Sequence, residues 1–489
     1  MKSGIVKNTI ILIVTSMIIR ILSLVNRIIL TRLLGNEGIS LYVITLPSLS
    51  LFMTISGFSL NIATTKVFAE NSVTGKYSEK KILSSAITIG LVAAALTIVI
   101  LLIFLRPLVF NGLKQKNAYF PILSCIFFLP LIALNNIFRG YFNGKNRITV
   151  SAAATLIEQV SRITVAIILL YLFLPYGLIV AVSMAIMAMG MGEAISLGFI
   201  LLMIKKNKPR HSETEDKPIK AILKITVPTT ASRLVGNFTY FLEPIIYTAA
   251  LTIIGLSTKD ILYRYSAITA YGIPLITLCS FVSTSIATVI IPNITKSYAS
   301  GKIREVNYYI KKSCLLSFVP GILVSILITA YAREYMMLIY RTDIGSDYAE
   351  KLGALFILFY LQAPINAVMQ AVGRAKTLFH ISLFTNIIKL ILIFSLAFIP
   401  RITYDSLIIA MLINTFLSTS LVYFCLKNTF KFKFYFTEIL NIIILTGLSV
   451  LSLHILKAGI SHYLLNTVIL TLLFYIYCKV LKITSFNNE

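Results

Sequence analysis

The chain has 489 residues, of which 57% are hydrophobic and only 13% charged, and it carries a formal net charge of +26. A soluble domain carries about twice that charged fraction, so the composition excludes an ordinary soluble protein. The basic excess fits membrane topology and contact with anionic headgroups, and no loop is long enough to form a soluble domain that would bind nucleic acid.

Apolar runs of roughly 20 residues, enough to cross a bilayer, recur from end to end. About fourteen candidate spans are read, at 5–33, 40–65, 82–105, 118–140, 150–173, 178–204, 222–253, 262–291, 311–331, 351–372, 378–399, 405–426, 436–456 and 462–481. They predict an all-α integral membrane protein. The first run is too long for a signal-peptide core and lacks a small-residue cleavage site.

That first span contains "SMIIRILSLVNRIILTRLLG" (Ser16–Gly35), with Arg20, Arg27 and Arg32. A guanidinium at mid-membrane costs ~2.5 kcal/mol or more. Arg20 and Arg27, seven residues apart, lie within about 20° on one helical face, and Ser16 and Ser23 share it. A helix with one polar face suits a water-filled cavity. The alternative is snorkelling of the long stems to the interface, which is adopted for Arg32 and left open for Arg27.

Span five contains "EQVSR", with Glu158 and Arg162 at i,i+4. That spacing suits an ion pair, a substrate role being the alternative. Glu193, in "GMGEA" of span six, is a second-rank cavity candidate. Between spans six and seven, "KKNKPRHSETEDKPIK" (Lys205–Lys220) reads as a cytoplasmic linker between two halves or as a solvated loop with no partner. Span seven contains "PTTASRLVGNFTYFLEP" (Pro228–Pro244), in which Thr229, Arg233, Gly236 and Tyr240 project to one side. Glu243 there either pairs with an arginine or reaches water at the helix end. Lys389, in span eleven, is another second-rank candidate. The five cysteines (Cys125, Cys279, Cys314, Cys425, Cys478) and four histidines are scattered, without metal-ligand spacing. Neither a metal site, a cofactor site nor a catalytic constellation is expected.

An internal repeat is also legible. "SGFSLNIAT" (Ser56–Thr64), followed by "TGK" (Thr74–Lys76), matches "SFVSTSIAT" (Ser280–Thr288), followed by "SGK" (Ser300–Lys302). "GKNR" (Gly144–Arg147) matches "GRAK" (Gly373–Lys376), and Pro47 matches Pro274. The expected organisation is two pseudo-symmetric six-helix lobes, 1–204 and 222–428, a linker at 205–221, and two additional helices within 429–489. In this register Thr229 and Arg233 correspond to Ser16 and Arg20. Transporters commonly place a substrate cavity between such halves. With both termini cytoplasmic, inner segments hold about 28 of the 44 Lys and Arg residues and outer segments about 11, as the positive-inside rule requires. Guanidinium groups match phosphate in geometry and charge, so an anionic, phosphorylated substrate is expected.

"NNIFRGYFNGKNRITVSAAATLIEQVSRI" (Asn135–Ile163) and "ASRLVGNFTYFLEPI" (Ala231–Ile245) resemble the stage V sporulation protein B branch of the multidrug/oligosaccharidyl-lipid/polysaccharide export superfamily. That branch is similar to lipid II flippases, and "RLLGNEGISLY" (Arg32–Tyr42) resembles the start of polysaccharide flippases. The resemblance implies a fourteen-helix flippase that moves a polyprenyl-pyrophosphate-linked sugar across the cell membrane by alternating access. The product would serve peptidoglycan, spore-cortex or surface polysaccharide synthesis. By the same resemblance Arg20 and Arg27 match first-helix arginines that engage the pyrophosphate, and helices thirteen and fourteen border a groove for the lipid tail. One departure is that span two has no charged residue in its middle, so lipid II and other lipid-linked glycans both stay open as substrates. Expected partners are that substrate, membrane lipids and cell-wall synthesis proteins; oligomerisation is not required. Alternatives are a cation-coupled multidrug exporter, which would need cavity carboxylates, and a membrane glycan ligase using the charged segment Arg333–Lys351.

Overall fold

The computed structural model describes residues 2–206, 218–277, 280–430, 436–460, 462–481 and 483, and the regular elements among them are all helical. Hydrocarbon offers no water to the backbone, so each crossing has to satisfy its own N–H and C=O groups, which a helix does internally. Nine described helices are long and apolar enough to cross a membrane, or eleven if two bent pairs each count as one span. The protein is therefore a multi-pass membrane protein. Most of the charged linker, residues 207–217, lies outside the described residues.

The chain divides into two compact units, Met1–Ser266 and Ala267–Glu489. The first contains α1 (Lys2–Gly57), α2 (Leu60–Thr74), α3 (Glu79–Pro107), α4 (Tyr119–Leu123), α5 (Leu129–Gly144), α6 (Ile148–Phe173), α7 (Leu178–Lys206), α8 (Ile219–Ile253) and α9 (Thr258–Ser266). α1 breaks at Gly35, whose φ of 63° and ψ of −172° suit glycine and few other residues. The candidate span Val14–Ser72 is 59 residues long. At the α-helical rise it measures roughly 90 Å, enough for two crossings of a ~30 Å core. A second interruption follows at Phe58 and Ser59, with φ of 42° and 46°. The apolar run read as one span over 40–65 thus contains two helices that meet at a break in the helical backbone.

α8 has 35 residues but is not among the nine apolar helices, because Thr, Asn, Arg and Glu residues are spread along it. Its polar side chains need partners inside the protein or water.

Small residues let the helices approach closely. A Cβ on Gly140 of α5 would lie 2.7 Å from the Asn61 carbonyl oxygen of α2, and one on Gly144 would lie 2.8 Å from that of Thr65. Around this contact Leu60, Val67, Phe68, Ile137, Tyr141 and Ile200 are buried together. Gly190 and Gly192 do the same for α7, against Phe128 and α6 respectively.

The second unit contains α10 (Ile273–Ile276), α11 (Ser280–Ala299), α12 (Ile303–Tyr340), α13 (Ser346–Leu355), α14 (Phe359–Ala371), α15 (Ala375–Ala397), α16 (Ser406–Phe430), α17 (Phe436–Gly459) and α18 (Tyr463–Val480). Ile294, Ile310, Val368 and Val422 bind α11, α12, α14 and α16 into one core. Leu445 of α17 and Phe474 of α18 pack on Val319 and Ile322 of α12. α12 breaks at Tyr331 (φ −135°, ψ 32°). There the Lys457 ammonium donates to the Ala330 carbonyl at 2.7 Å, and Asn466 Nδ2 donates to the Tyr331 hydroxyl at 2.8 Å. Cys125, Cys314 and Cys478 are buried, Cys425 is half-buried, and none of the four is bridged; Cys279 lies outside the described residues.

Candidate functional site

A cavity of about 460 Å³ lies within the first unit, a size typical of small-ligand sites. Ser50 and Thr54 from the second stretch of α1, Ser59 just after it, Asn136 from α5, Arg162 from α6, and Arg233 and Tyr240 from α8 supply its polar lining; leucines, methionines, Gly57 and Ile132 supply the rest. Two guanidiniums enter it, and no carboxylate lines it among the described residues.

Arg233 and Tyr240 are seven residues apart on α8 and so share a helical face. Asn237, between them, holds that face against α1. Its Nδ2 donates to Thr54 Oγ1 at 2.6 Å, and Ser50 Oγ approaches its Oδ1 at 3.4 Å. Gly57 leaves the space that Asn136 uses, since a Cβ there would lie 2.7 Å from Asn136 Nδ2.

Arg162 is set by its neighbours on three helices. Gly192 of α7 lies so close that a Cβ there would be 3.0 Å from Arg162 Cβ. Arg162 Nη2 donates to Gln159 Oε1 one turn back on the same helix. Gln159 Nε2 in turn approaches Ser23 Oγ of α1 at 3.4 Å. The polar face of the first span therefore connects, through Gln159, to a cavity arginine.

The ion pair expected between Glu158 and Arg162 is not formed. Glu158 Oε2 accepts from Arg139 Nη2 of α5 at 2.7 Å, with the two side chains only 12% and 13% exposed. The i,i+4 spacing permits a pair on an isolated helix, but Arg139 reaches the carboxylate from a packed neighbour and frees Arg162 for the cavity. Glu193 is held by Asn135, whose Nδ2 donates to Glu193 Oε2 at 2.5 Å.

Of the α1 residues read as substrate-binding, Ser16, Arg20 and Ser23 are exposed along the first stretch and Arg27 is half-buried. None of the four lines the 460 Å³ cavity. Arg27 acts electrostatically on Tyr42, Tyr240 and Tyr265, and Arg162 also acts on Tyr42. Glu243 is 1% exposed, so it is not a helix-end carboxylate in water; it acts on Tyr240 and Tyr265, as Arg27 does. Thr229 bonds back to the Ile225 carbonyl of its own helix at 2.7 Å. Lys389 is half-buried on α15 in the second unit.

Asn136 lines the cavity, Gln159 and Asn237 bond to its lining residues, and Arg139 holds Glu158; sequence patterns single out none of the four. Arg139 carried a usable signal, a guanidinium inside the apolar run of span four. The three amides carried none, because an uncharged polar residue in a span is unremarkable until its partner is known.

The second unit contains an apolar groove of about 400 Å³, bordered by Phe318 of α12, Ile365 of α14, Phe416 and Tyr423 of α16, and Ile439 and Ile443 of α17. The thirteenth span thus borders a groove, while α18 contributes nothing to its lining. Among the described residues no group of three or more His, Cys, Asp or Glu side chains gathers to hold a metal ion.

The model of the family described as polysaccharide biosynthesis protein matches residues 5–298. Stage V sporulation protein B of Bacillus subtilis (strain 168) is 30% identical over 410 residues, covering 82% of this chain and 79% of that protein. Among solved structures, the lipid II flippase MurJ in an inward closed conformation superposes with a TM-score of 0.71 at 16% identity, covering 96% of this chain and 97% of that one. The inward-facing structure of a multidrug resistance MATE family transporter of the MOP superfamily gives a TM-score of 0.68 at 14% identity, over 84% of this chain and 94% of that one. The fold is therefore that of MurJ-like and MATE-like transporters.

Proposed function

This chain belongs to the polysaccharide biosynthesis protein family, and from that premise we propose that it is a flippase for a polyprenyl-pyrophosphate-linked sugar. The observation that carries the reading is the cavity with Arg162 and Arg233 and no carboxylate among its described lining. Two planar, permanently charged donor groups inside a membrane protein match the oxygens of a pyrophosphate. Ser50, Thr54, Asn136 and Tyr240 add neutral donors for the remaining oxygens or for sugar hydroxyls.

In this reading the headgroup enters from the cytoplasm and the prenyl chain stays in lipid. Arg20 and Arg27 form an approach for the anion, and the 400 Å³ apolar groove suits a hydrocarbon chain. Both termini lie in the cytoplasm of a cell whose membrane receives the flipped glycan for peptidoglycan, cortex or surface polysaccharide. An exporter of organic cations, the alternative favoured by the MATE-like fold, would place a carboxylate where this cavity places arginines.

The test is external exposure of lipid-linked peptidoglycan precursors in cells that depend on this protein as their flippase, wild type against Arg233→Ala and Arg162→Ala. Exposure by wild type and its loss in both variants, at equal membrane levels, supports the reading. Normal exposure in both variants removes the arginines from the substrate site. No exposure even by wild type moves the search to other lipid-linked glycans.

A further inference from the structure

We propose that Glu193 is a proton-binding site whose occupancy is linked to anion binding at Arg162; the linkage rests on the anion-cavity reading above. The argument begins with a ladder between α5 and α7. Asn135 and Arg139, one turn apart on α5, face Glu193 and Ser196 on α7. Arg139 Nη2 donates to Ser196 Oγ at 3.0 Å as well as to Glu158 Oε2 at 2.7 Å. Asn135 Nδ2 donates to Glu193 Oε2 at 2.5 Å and to the Glu193 carbonyl at 2.7 Å. Asn135 and Ser196 are 1% and 0% exposed, while Glu193 itself is half-buried.

The charges are unevenly shared. Arg139 is committed to Glu158, while the direct partner of Glu193 is a neutral amide. The charged groups acting on Glu193 are Glu158 and Arg162 from α6 and Arg139 from α5. Of the other helices packed on α7, α4 carries Tyr119 and no charged residue, and α1 carries Lys2, Lys7, Arg20, Arg27, Arg32 and Glu37 together with Tyr42.

With the cavity empty, two guanidiniums balance two carboxylates. A phosphate anion on Arg162 draws on one of those positive charges and leaves the cluster with excess negative charge. A half-buried carboxylate without a compensating charge is costly, and one proton on Glu193 restores the balance. By reciprocity, a protonated Glu193 strengthens anion binding by the same factor. Both carboxylates are faced by N–H donors, Asn135 and Arg139, which repel a metal cation; the exchangeable cation is a proton. The bound proton also lowers the net charge of the loaded cavity before it crosses a low-dielectric region.

The experiment uses purified full-length protein and inorganic pyrophosphate as the probe. Calorimetry in buffers of different ionisation enthalpy reads the number of protons taken up per pyrophosphate bound. Wild type should take up about one proton more than Glu193→Gln, and its affinity should fall by up to about tenfold per pH unit where Glu193 titrates. Equal uptake in wild type and Glu193→Gln, with binding retained, overturns the proposal and leaves the anion cavity standing. A second variant serves if Glu193→Gln does not fold. In Arg162→Gln the infrared band of a protonated carboxyl should be present without anion, whereas wild type acquires it only on adding pyrophosphate. Absence of that band in Arg162→Gln overturns the proton site. Its presence in a protein whose wild type binds no pyrophosphate would overturn the cavity reading and the linkage while keeping Glu193 as a proton site.

Discussion

Glu158 pairs with Arg139, 2.7 Å away on a neighbouring helix, and not with Arg162 one turn along its own. This choice of partner shapes the first unit. It ties α6 to α5 through a nearly buried ion pair and leaves Arg162 to line the cavity with Arg233.

The first prediction concerns that pair. Removing one member of a buried ion pair leaves the other charge uncompensated, which costs about 3–5 kcal/mol. Arg139→Ala should therefore sharply lower the thermal midpoint and the membrane level of the protein. Arg139→Met combined with Glu158→Leu should recover most of the loss, as read by thermal unfolding in detergent. If the double variant is as unstable as the single one, the pair has a role beyond charge balance.

The two cavity arginines should respond differently from Arg139. If the cavity binds an anion as proposed, each would contribute charge-assisted hydrogen bonds worth about 1.5–3 kcal/mol. Arg162→Ala and Arg233→Ala should each weaken pyrophosphate binding by about tenfold to a hundredfold; Arg233→Ala should keep thermal stability near that of wild type, whereas Arg162→Ala, which removes a charge balancing Glu193, should lose some of it. Lysine at either position should restore charge but not fork geometry, and so recover only part of the affinity. Calorimetry on the purified variants decides this.

A third prediction tests the close approach of α5 and α2. A methyl group at Gly140 would press on Thr64 Oγ1 and lie 2.7 Å from the Asn61 carbonyl oxygen, which cannot rotate away. Gly140→Ala should cost about 1–3 kcal/mol through overpacking. Gly236→Ala on α8, where a Cβ meets nothing within 4 Å, should be near neutral in the same unfolding assay.

The break in α12 supplies a fourth. Asn466, 1% exposed, donates to the Tyr331 hydroxyl at 2.8 Å and to the Ile460 carbonyl at 2.9 Å. Asn466→Leu leaves both acceptors without that donor and should destabilise the second unit by about 1–3 kcal/mol. Hydrogen exchange around residues 327–335 should quicken; unchanged protection there would show that the break is held by Lys457 alone.

Much of the architecture is legible in the sequence. Hydrophobic run length and the absence of soluble loops determine an all-α membrane protein, because the bilayer imposes one solution on the backbone. The seven-residue spacing of Arg233 and Tyr240 places them on one helical face, and the structure brings both to the same cavity. These are local properties, governed by helical geometry, and local properties can be read along a chain.

Partnership could not be read that way. Glu158 and Arg162 satisfy the spacing rule for an ion pair, yet the geometry of packing, through Gly192 and the neighbouring α5, gave the carboxylate to Arg139. The break at Phe58 and Ser59 was hidden inside one apolar run, since hydropathy records burial and not backbone dihedrals. Gln159 acquires meaning only when α1 lies beside α6 and Ser23 comes within 3.4 Å. The sequence by itself determined which residues are helical and which face of each helix is polar. Only the tertiary structure decided which polar faces meet, because that depends on how closely glycines let the helices pack.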